Sequence, residues 1–257
     1  MTIAIGMLNR EKPGLPVICV GADSQTTCGN VKRSDAEKVT KLEFQRSSQY
    51  ALIAQAGNAD NAERAIEIME EISKTEIISE RRSVADLAQR AIVRCKQEIR
   101  EHQGNCSPEE LRDFILNHEQ NFQLLIANYF EGEPFLFVAD LWTGAASRQN
   151  SFFSAIGTGA NLAAYLIAEY CSPEMPLQSA YAAMIYIIDE VKKHDTYCSG
   201  ETRVKFMRDE SDCHFVPQNL IRAFSKTVAK FNPEAKKQRN KMVNKFLVQW
   251  AKSLGSE

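Results

Sequence analysis

The sequence predicts an α+β domain of four layers, with two antiparallel sheets stacked face to face and helices outside each sheet. Three observations lead there. Strand-like and helix-like segments come in blocks, strands, helices, strands, helices, rather than in strict alternation. The segment Pro16–Asp23 is apolar on both faces, so it needs cover on both sides. The chain has 257 residues, 44% hydrophobic and 25% charged, which is ordinary for one large globular body. Those values exclude disorder, collagen and coiled coil for the bulk of the chain.

Thr2–Asn9 reads as a strand, and Pro13-Gly14 marks the turn into Pro16–Asp23, giving an antiparallel hairpin. A polar stretch, Ser24–Glu37, precedes strands at Lys38–Phe44 and Gln49–Ala56, which Gly57-Asn58 ends. Asn58–Lys74 carries apolar residues at helical spacing (Ala62, Ala65, Ile66, Met69, Ile72), and Ser83–His102 repeats the pattern. Ser107-Pro108-Glu109-Glu110 is an N-cap followed by a first-turn proline, opening a short helix to about His118. Phe122–Phe130 and Pro134–Leu141 flank Glu131-Gly132-Glu133 as a second hairpin, and Asn150–Ile156 is a further strand. Gly157-Thr158-Gly159 opens an apolar helix to about Tyr170, and Pro173–His194 holds another. Arg203–Arg208 is a last short strand, and Ser225–Leu254 reads as a lysine-rich helical tail.

Net charge is −2, so no global basic field recruits nucleic acid, and the lysines of the tail read as a solvated helical face. No apolar run reaches the length of a membrane span, and the first residues lack the pattern of a signal peptide. Seven cysteines with no CxxC pair read as free thiols of a cytoplasmic protein. The four histidines show no HExxH or paired spacing, so neither a metal nor another cofactor is implied.

Thr2 carries the strongest chemical suggestion, through its position. Once Met1 is removed, a threonine presents both a hydroxyl nucleophile and an α-amino group with a pKa near 8, able to act as a base. Asp23 stands where a strand runs into a polar turn, and Lys38 opens a strand beyond it. Beside Thr2, a charged lysine held by the aspartate would lower the pKa of the hydroxyl. Taken singly, each residue has a plainer reading: an ordinary second residue, a turn cap and a surface lysine.

Taken together with GADSQTTCGN, EKVTKL, AQAGNAD, AIGTGANLAAYL and HDTYCSG, in that order from Thr2 to about Phe206, they resemble a family. The chain is similar to the proteasome β subunit and the bacterial HslV-type protease, both N-terminal threonine hydrolases, and GADSQTTCGN is nearest the HslV-type form. The resemblance implies an N-terminal nucleophile hydrolase fold over residues 1–212. A C-terminal helical extension, residues 213–257, would pack on the body or on a neighbouring subunit. It implies Thr2 as nucleophile, Asp23 and Lys38 as its charged pair, and Gly57 as the oxyanion-hole donor. Gly157-Thr158-Gly159 matches a GSG motif, so Thr158 would contact the Thr2 amine. Asp195 matches a D-x-Y-S-G motif that is one residue longer here. Either Cys198 or Ser199 takes its serine position, and the following Gly200 favours Ser199. Thr26, Thr27, Ala36, Thr40, Gln55 and Ala59 would contact substrate.

The expected function is a threonine peptidase acting on peptides or unfolded protein inside a homo-oligomeric ring, with an ATP-dependent unfoldase as an allowed partner. Loss of Met1 would suffice to expose Thr2. Two other readings remain: a free-standing amidase or transferase of the same nucleophile chemistry, and a silent structural subunit. Retention of Thr2, Asp23, Lys38 and Asp195 argues against the silent one.

Overall fold

The structure is a computed structural model that describes residues 2–11, 15–28, 31–33, 36–44, 49–76 and 81–228. In chain order its elements begin with strands β1 (Ile3–Glu11), β2 (Leu15–Asp23), β3 (Thr26–Cys28), β4 (Val31–Arg33), β5 (Val39–Phe44) and β6 (Gln49–Gly57). Helices α1 (Ala59–Thr75), α2 (Arg81–His102) and α3 (Pro108–Asn117) follow. Strands β7 (Phe122–Phe130), β8 (Glu133–Asp140), β9 (Ala145–Arg148) and β10 (Phe153–Gly157) lead to α4 (Ala160–Tyr170) and α5 (Leu177–His194). The described chain ends with β11 (Thr202–Met207), β12 (Cys213–Phe215) and α6 (Gln218–Val228).

The strands form two antiparallel five-stranded sheets, ordered β10-β1-β2-β11-β12 and β5-β6-β7-β8-β9, with β3 and β4 paired separately. The expected four layers are present, and the alternation of side chains builds them. On β1, Ile3, Ile5 and Met7 pack with α4 and α5, while Ala4 faces the second sheet. On β2, Val17 and Cys19 take the helical side, and Ile18, Val20 and Ala22 the inter-sheet side. On β6, Ala51 and Ile53 meet α1 and α2, and Leu52, Ala54 and Ala56 meet the first sheet. Small residues on the inner faces let the sheets approach closely. Gly6 is one of them, since a Cβ there would come within 2.9 Å of Leu125 and Leu136. Full burial of each Ile or Leu in these layers contributes about 1.5–3 kcal/mol.

Local signals set the ends of elements. Asn58 caps α1 by accepting from the Asn61 backbone N–H at 3.0 Å. Ser107 and Glu110 form a reciprocal capping box at α3, with Pro108 in the first turn. Glu131 and Gly132, with φ of 51° and 76°, make the tight turn joining β7 to β8.

The sequence reading and the structure differ in four places. The polar stretch after Asp23 contains the β3–β4 pair, whose short, hydrophilic strands give no apolar alternation. β9 is an exposed edge strand, Ala-Ala-Ser-Arg, equally without a pattern. Cys213–Phe215 extends the first sheet beside β11. The final described helix begins at Gln218, before the expected Ser225, because Ile221 and Phe224 bury its apolar face near α5. The rest of the expected tail helix, residues 229–257, lies outside the described residues.

Candidate active site

Three strand ends converge. Thr2 precedes β1, Asp23 ends β2 and Lys38 leads into β5, and all three are buried, with 2%, 1% and 4% of their surface exposed. The Thr2 hydroxyl donates to Asp23 Oδ1, and Lys38 Nζ donates to the Thr2 hydroxyl oxygen. Lys38 Nζ also lies 3.1 Å from Asp23 Oδ1. The carboxylate is held from the other side by the backbone N–H groups of Ile3 at 3.2 Å and Ser199 at 3.0 Å. Burial pushes Asp23 up and Lys38 down from their ordinary values, and the charge of each opposes the shift of the other. A positively charged lysine so placed would stabilise an alkoxide forming at Thr2.

Backbone geometry positions the threonine. Ile3 pairs with Gly157 across β1 and β10, and Gly157 has φ of +92°. A Cβ at Gly157 would collide with the Thr2 carbonyl oxygen. Gly57 ends β6 with φ of +97°, where a Cβ would lie 2.8 Å from Phe122 Cα. Thr2, Lys38 and Gly57 line one pocket of about 10 Å³, room for about one water molecule. Gln25, Gln55 and Ala59 line it too.

Of the expected substrate contacts, Gln55 and Ala59 thus stand beside Thr2. Thr40 lies on β5 and Ala36 is tied by its N–H to Ser24 O at 3.1 Å, and neither is among the residues lining this pocket. Thr26 and Thr27 lie on β3, and their side chains are outside the described part. Gln25 is a residue the sequence reading missed, because nothing in its spacing separates it from other turn residues. Gln25 Nε2 and Gln55 Oε1 are buried without a hydrogen-bond partner among the described residues, a donor and an acceptor on the same pocket.

Thr158, Asp195 and Cys198 form a second group. Cys198 Sγ lies 3.4 Å from Asp195 Oδ2, to which it donates, and 3.8 Å from Thr158 Oγ1. Asp195 caps the end of α5 and accepts from the Tyr197 N–H at 2.9 Å. Burial raises its pKa, but hydrogen bonds from Thr158, the Tyr197 N–H and Cys198 outweigh that and hold it below the ordinary aspartate value. The thiol of Cys198, and not Ser199, stands between Thr158 and Asp195. The extra residue after Asp195 moves Ser199 on by one position, so its N–H meets Asp23 and its hydroxyl turns to Gln25. Among the described residues no group of three or more His, Cys, Asp or Glu could hold a metal ion, and no helix is long and apolar enough to cross a membrane.

No protein-family model matches the chain, and no curated protein matches it either. Solved structures do. Anbu (ancestral beta-subunit) from Yersinia bercovieri is 14% identical, with a TM-score of 0.68 over 89% of this chain and 94% of that one. A Gly-1 mutant of Anbu from Hyphomicrobium sp. strain MC1 is 15% identical, with a TM-score of 0.67 over 93% and 96%. The structure titled helical assembly of the Anbu complex, from Pseudomonas aeruginosa, is 12% identical, with a TM-score of 0.69 over 89% and 92%. At such identities the likeness is one of fold, and it does not single out the HslV-type form. The two five-stranded sheets between helical layers are those of the proteasome-like N-terminal nucleophile hydrolase fold.

Proposed function

We propose that the protein is a threonine-type peptidase whose nucleophile is Thr2 after removal of Met1. The observation that carries this reading is the contact of Lys38 Nζ with the Thr2 hydroxyl while both share buried Asp23. Thr2 Oγ attacks a peptide carbonyl, and its proton passes to the α-amine exposed by loss of Met1. Thr158, Asp195 and Cys198 hold that amine in place. The Gly57 N–H receives the oxyanion, the amine protonates the leaving nitrogen, and water hydrolyses the acyl-enzyme.

The test pairs intact mass with hydrolysis of fluorogenic peptides. Active protein should lack Met1. Thr2→Ala should abolish turnover while assembly persists, and Lys38→Ala should lower the rate on the order of a hundredfold or more. Full activity with Met1 retained would overturn the reading.

Enclosure suits an unguarded cytoplasmic peptidase, so the reading includes a homo-oligomer that admits unfolded chains, with or without an unfoldase. A head-to-tail interface closes into a ring or runs on as a helix according to its rotation. Native mass spectrometry of the full chain, and of one ending at Val228, tests this. Met242, Phe246, Leu247 and Trp250, spaced i, i+4, i+5 and i+8 in the sequence, fall in the removed part, whose loss should change assembly size more than site chemistry. A second reading, a free-standing amidase acting on small amides, is favoured by the narrowness of the pocket beside Thr2. A monomer that cleaves only short amides would establish that reading instead.

A further inference from the structure

A second cavity, of about 410 Å³, lies away from Thr2 between α2, α3 and the turn joining β8 to β9. This is within the size range of small-molecule sites. Its floor is Leu111 and Ile115 of α3, both buried, with Pro108 at the rim. Lys96 of α2 and Arg112 of α3 line it together with Trp142. Lys96 Nζ donates to the Trp142 carbonyl oxygen at 3.1 Å, and the Arg112 guanidinium lies 4.3 Å from the centre of the Trp142 ring.

The charges are unbalanced. Two cations share the cavity and no carboxylate lines it. Burial pushes Lys96 below its ordinary value, the attraction of Asp140 opposes that, and the repulsion of Arg112 adds a smaller push down. Asp140 does not line the cavity, and both its oxygens are held by neighbours. Its Oδ2 accepts from Gln123 at 2.8 Å and its Oδ1 from the Thr143 N–H at 2.9 Å. A cavity that brings like charges together over an apolar floor lacks an anion at its mouth.

We infer that this cavity binds a small anionic ligand, a carboxylate or phosphate head between Lys96 and Arg112 carried on an apolar, ring-bearing body over Leu111 and Ile115. The indole of Trp142, stacked by Arg112, lines the same cavity and would meet that ring. The inference is independent of the chemistry at Thr2, because the two pockets share no lining residue.

The chain has two tryptophans, so Trp250→Phe leaves Trp142 as the fluorescent reporter. Phenyl phosphate titrated into the full-length variant should change that emission saturably, and benzoate should compete with it. Arg112→Ala, on an exposed side chain, and Lys96→Met should each weaken binding about tenfold or more. Inorganic phosphate alone should bind at least about tenfold more weakly, since it leaves the apolar floor uncovered. The absence of a saturable change up to about 10 mM phenyl phosphate would overturn the assignment. So would an equal response to benzyl alcohol, or unaltered affinity in folded Arg112→Ala.

Discussion

Lys205 of β11 reaches Glu37 at 2.7 Å, and Glu37 is the residue immediately before Lys38. Lys205 is itself buried and lies 4.4 Å from the ring centre of Phe215 on β12. The pair fastens the approach to β5 onto the first sheet, so Glu37 acts on the site through Lys38. Glu37→Ala should lower kcat about threefold to tenfold with KM unchanged, while Glu37→Gln, which can still accept from Lys205, recovers most of it. A change in KM alone would show that Glu37 meets substrate instead.

Gly157→Ala should be among the most damaging substitutions outside the charged trio. It forces φ of +92° on a residue with a side chain and drives its Cβ into the Thr2 carbonyl oxygen. Thr2 must then shift away from Lys38. A loss of activity of about a hundredfold, with unfolding costing about 1–3 kcal/mol less, is the expected result of kinetics and chemical denaturation.

The Asp23–Lys38 pair and the Thr2 amine together set the pH range. Burial raises Asp23 from 3.8 and lowers Lys38 from 10.5, so both are charged over a narrower interval than free side chains would be. The rate should follow a bell, with its alkaline limb below pH 10.5 as Lys38 loses its proton, and an acid limb to which protonation of the Thr2 amine, ordinarily at about pH 8, contributes as well as that of Asp23, above pH 3.8. The stability signs follow from the same shifts. The contribution of raised Asp23 is full below pH 3.8 and is lost as pH rises through its folded value. That of lowered Lys38 is full above pH 10.5 and is lost as pH falls through its folded value. At neutral pH the charged pair therefore costs stability. Asp23→Asn combined with Lys38→Met should be inactive yet melt at or above the wild-type temperature. Melting more than about 5 °C lower would contradict this.

Cys198 should be chemically quiet. Burial is the main cause that pushes its thiol up to about 12, and only 1% of the residue is exposed. Iodoacetamide at pH 8 should leave it unlabelled in the native protein and label it after denaturation, as read by peptide mass spectrometry. Cys198→Ser should keep activity within about threefold, because a hydroxyl can make the same bonds to Asp195 and Thr158.

The legible part of the molecule is what repeats or stands at a strand end. Thr2, Asp23 and Lys38 are readable because each marks the boundary of an apolar strand, and the strands themselves alternate. Thr158 and Asp195 are expected only through the resemblance, the second from a motif that is one residue longer here. The exchange of Cys198 for Ser199 is illegible, because a single extra residue is absorbed by how the turn after α5 folds, not by composition. β3, β4 and β9 escape for another reason: at three, three and four residues they are too short to show a period. The cavity at Trp142 depends on α3 meeting a distant turn, and such meetings leave no local mark.

Substrate choice should show the two glutamines. Gln25 Nε2 and Gln55 Oε1 offer a donor and an acceptor beside Thr2, and both lack partners among the described residues. The space beside them has room for about one water molecule, so a small acyl-side residue leaves both groups open to water, while a leucine that fills it leaves them buried and unpaired. Peptides with Gly or Ala there should be cleaved about tenfold or more faster, by kcat/KM, than those with Leu. Gln55→Leu should erase the difference. Strong selection for arginine would sink this assignment.

The site is divided between the two sheets. Thr2 and Asp23 come from the first, and Lys38 and Gly57 from the edge and end of the second. Neither sheet alone holds a working nucleophile, so the chemistry serves as a proof of assembly. Tyr129 of β7 locks the alignment by donating across the sandwich to Pro16 O, 2.7 Å away, with Met207 O 3.1 Å from the same hydroxyl. A chain still emerging, or one half-unfolded by heat, keeps its threonine without the lysine that arms it. Under the proposed function, such a hydrolase would be harmless until its own folding is finished.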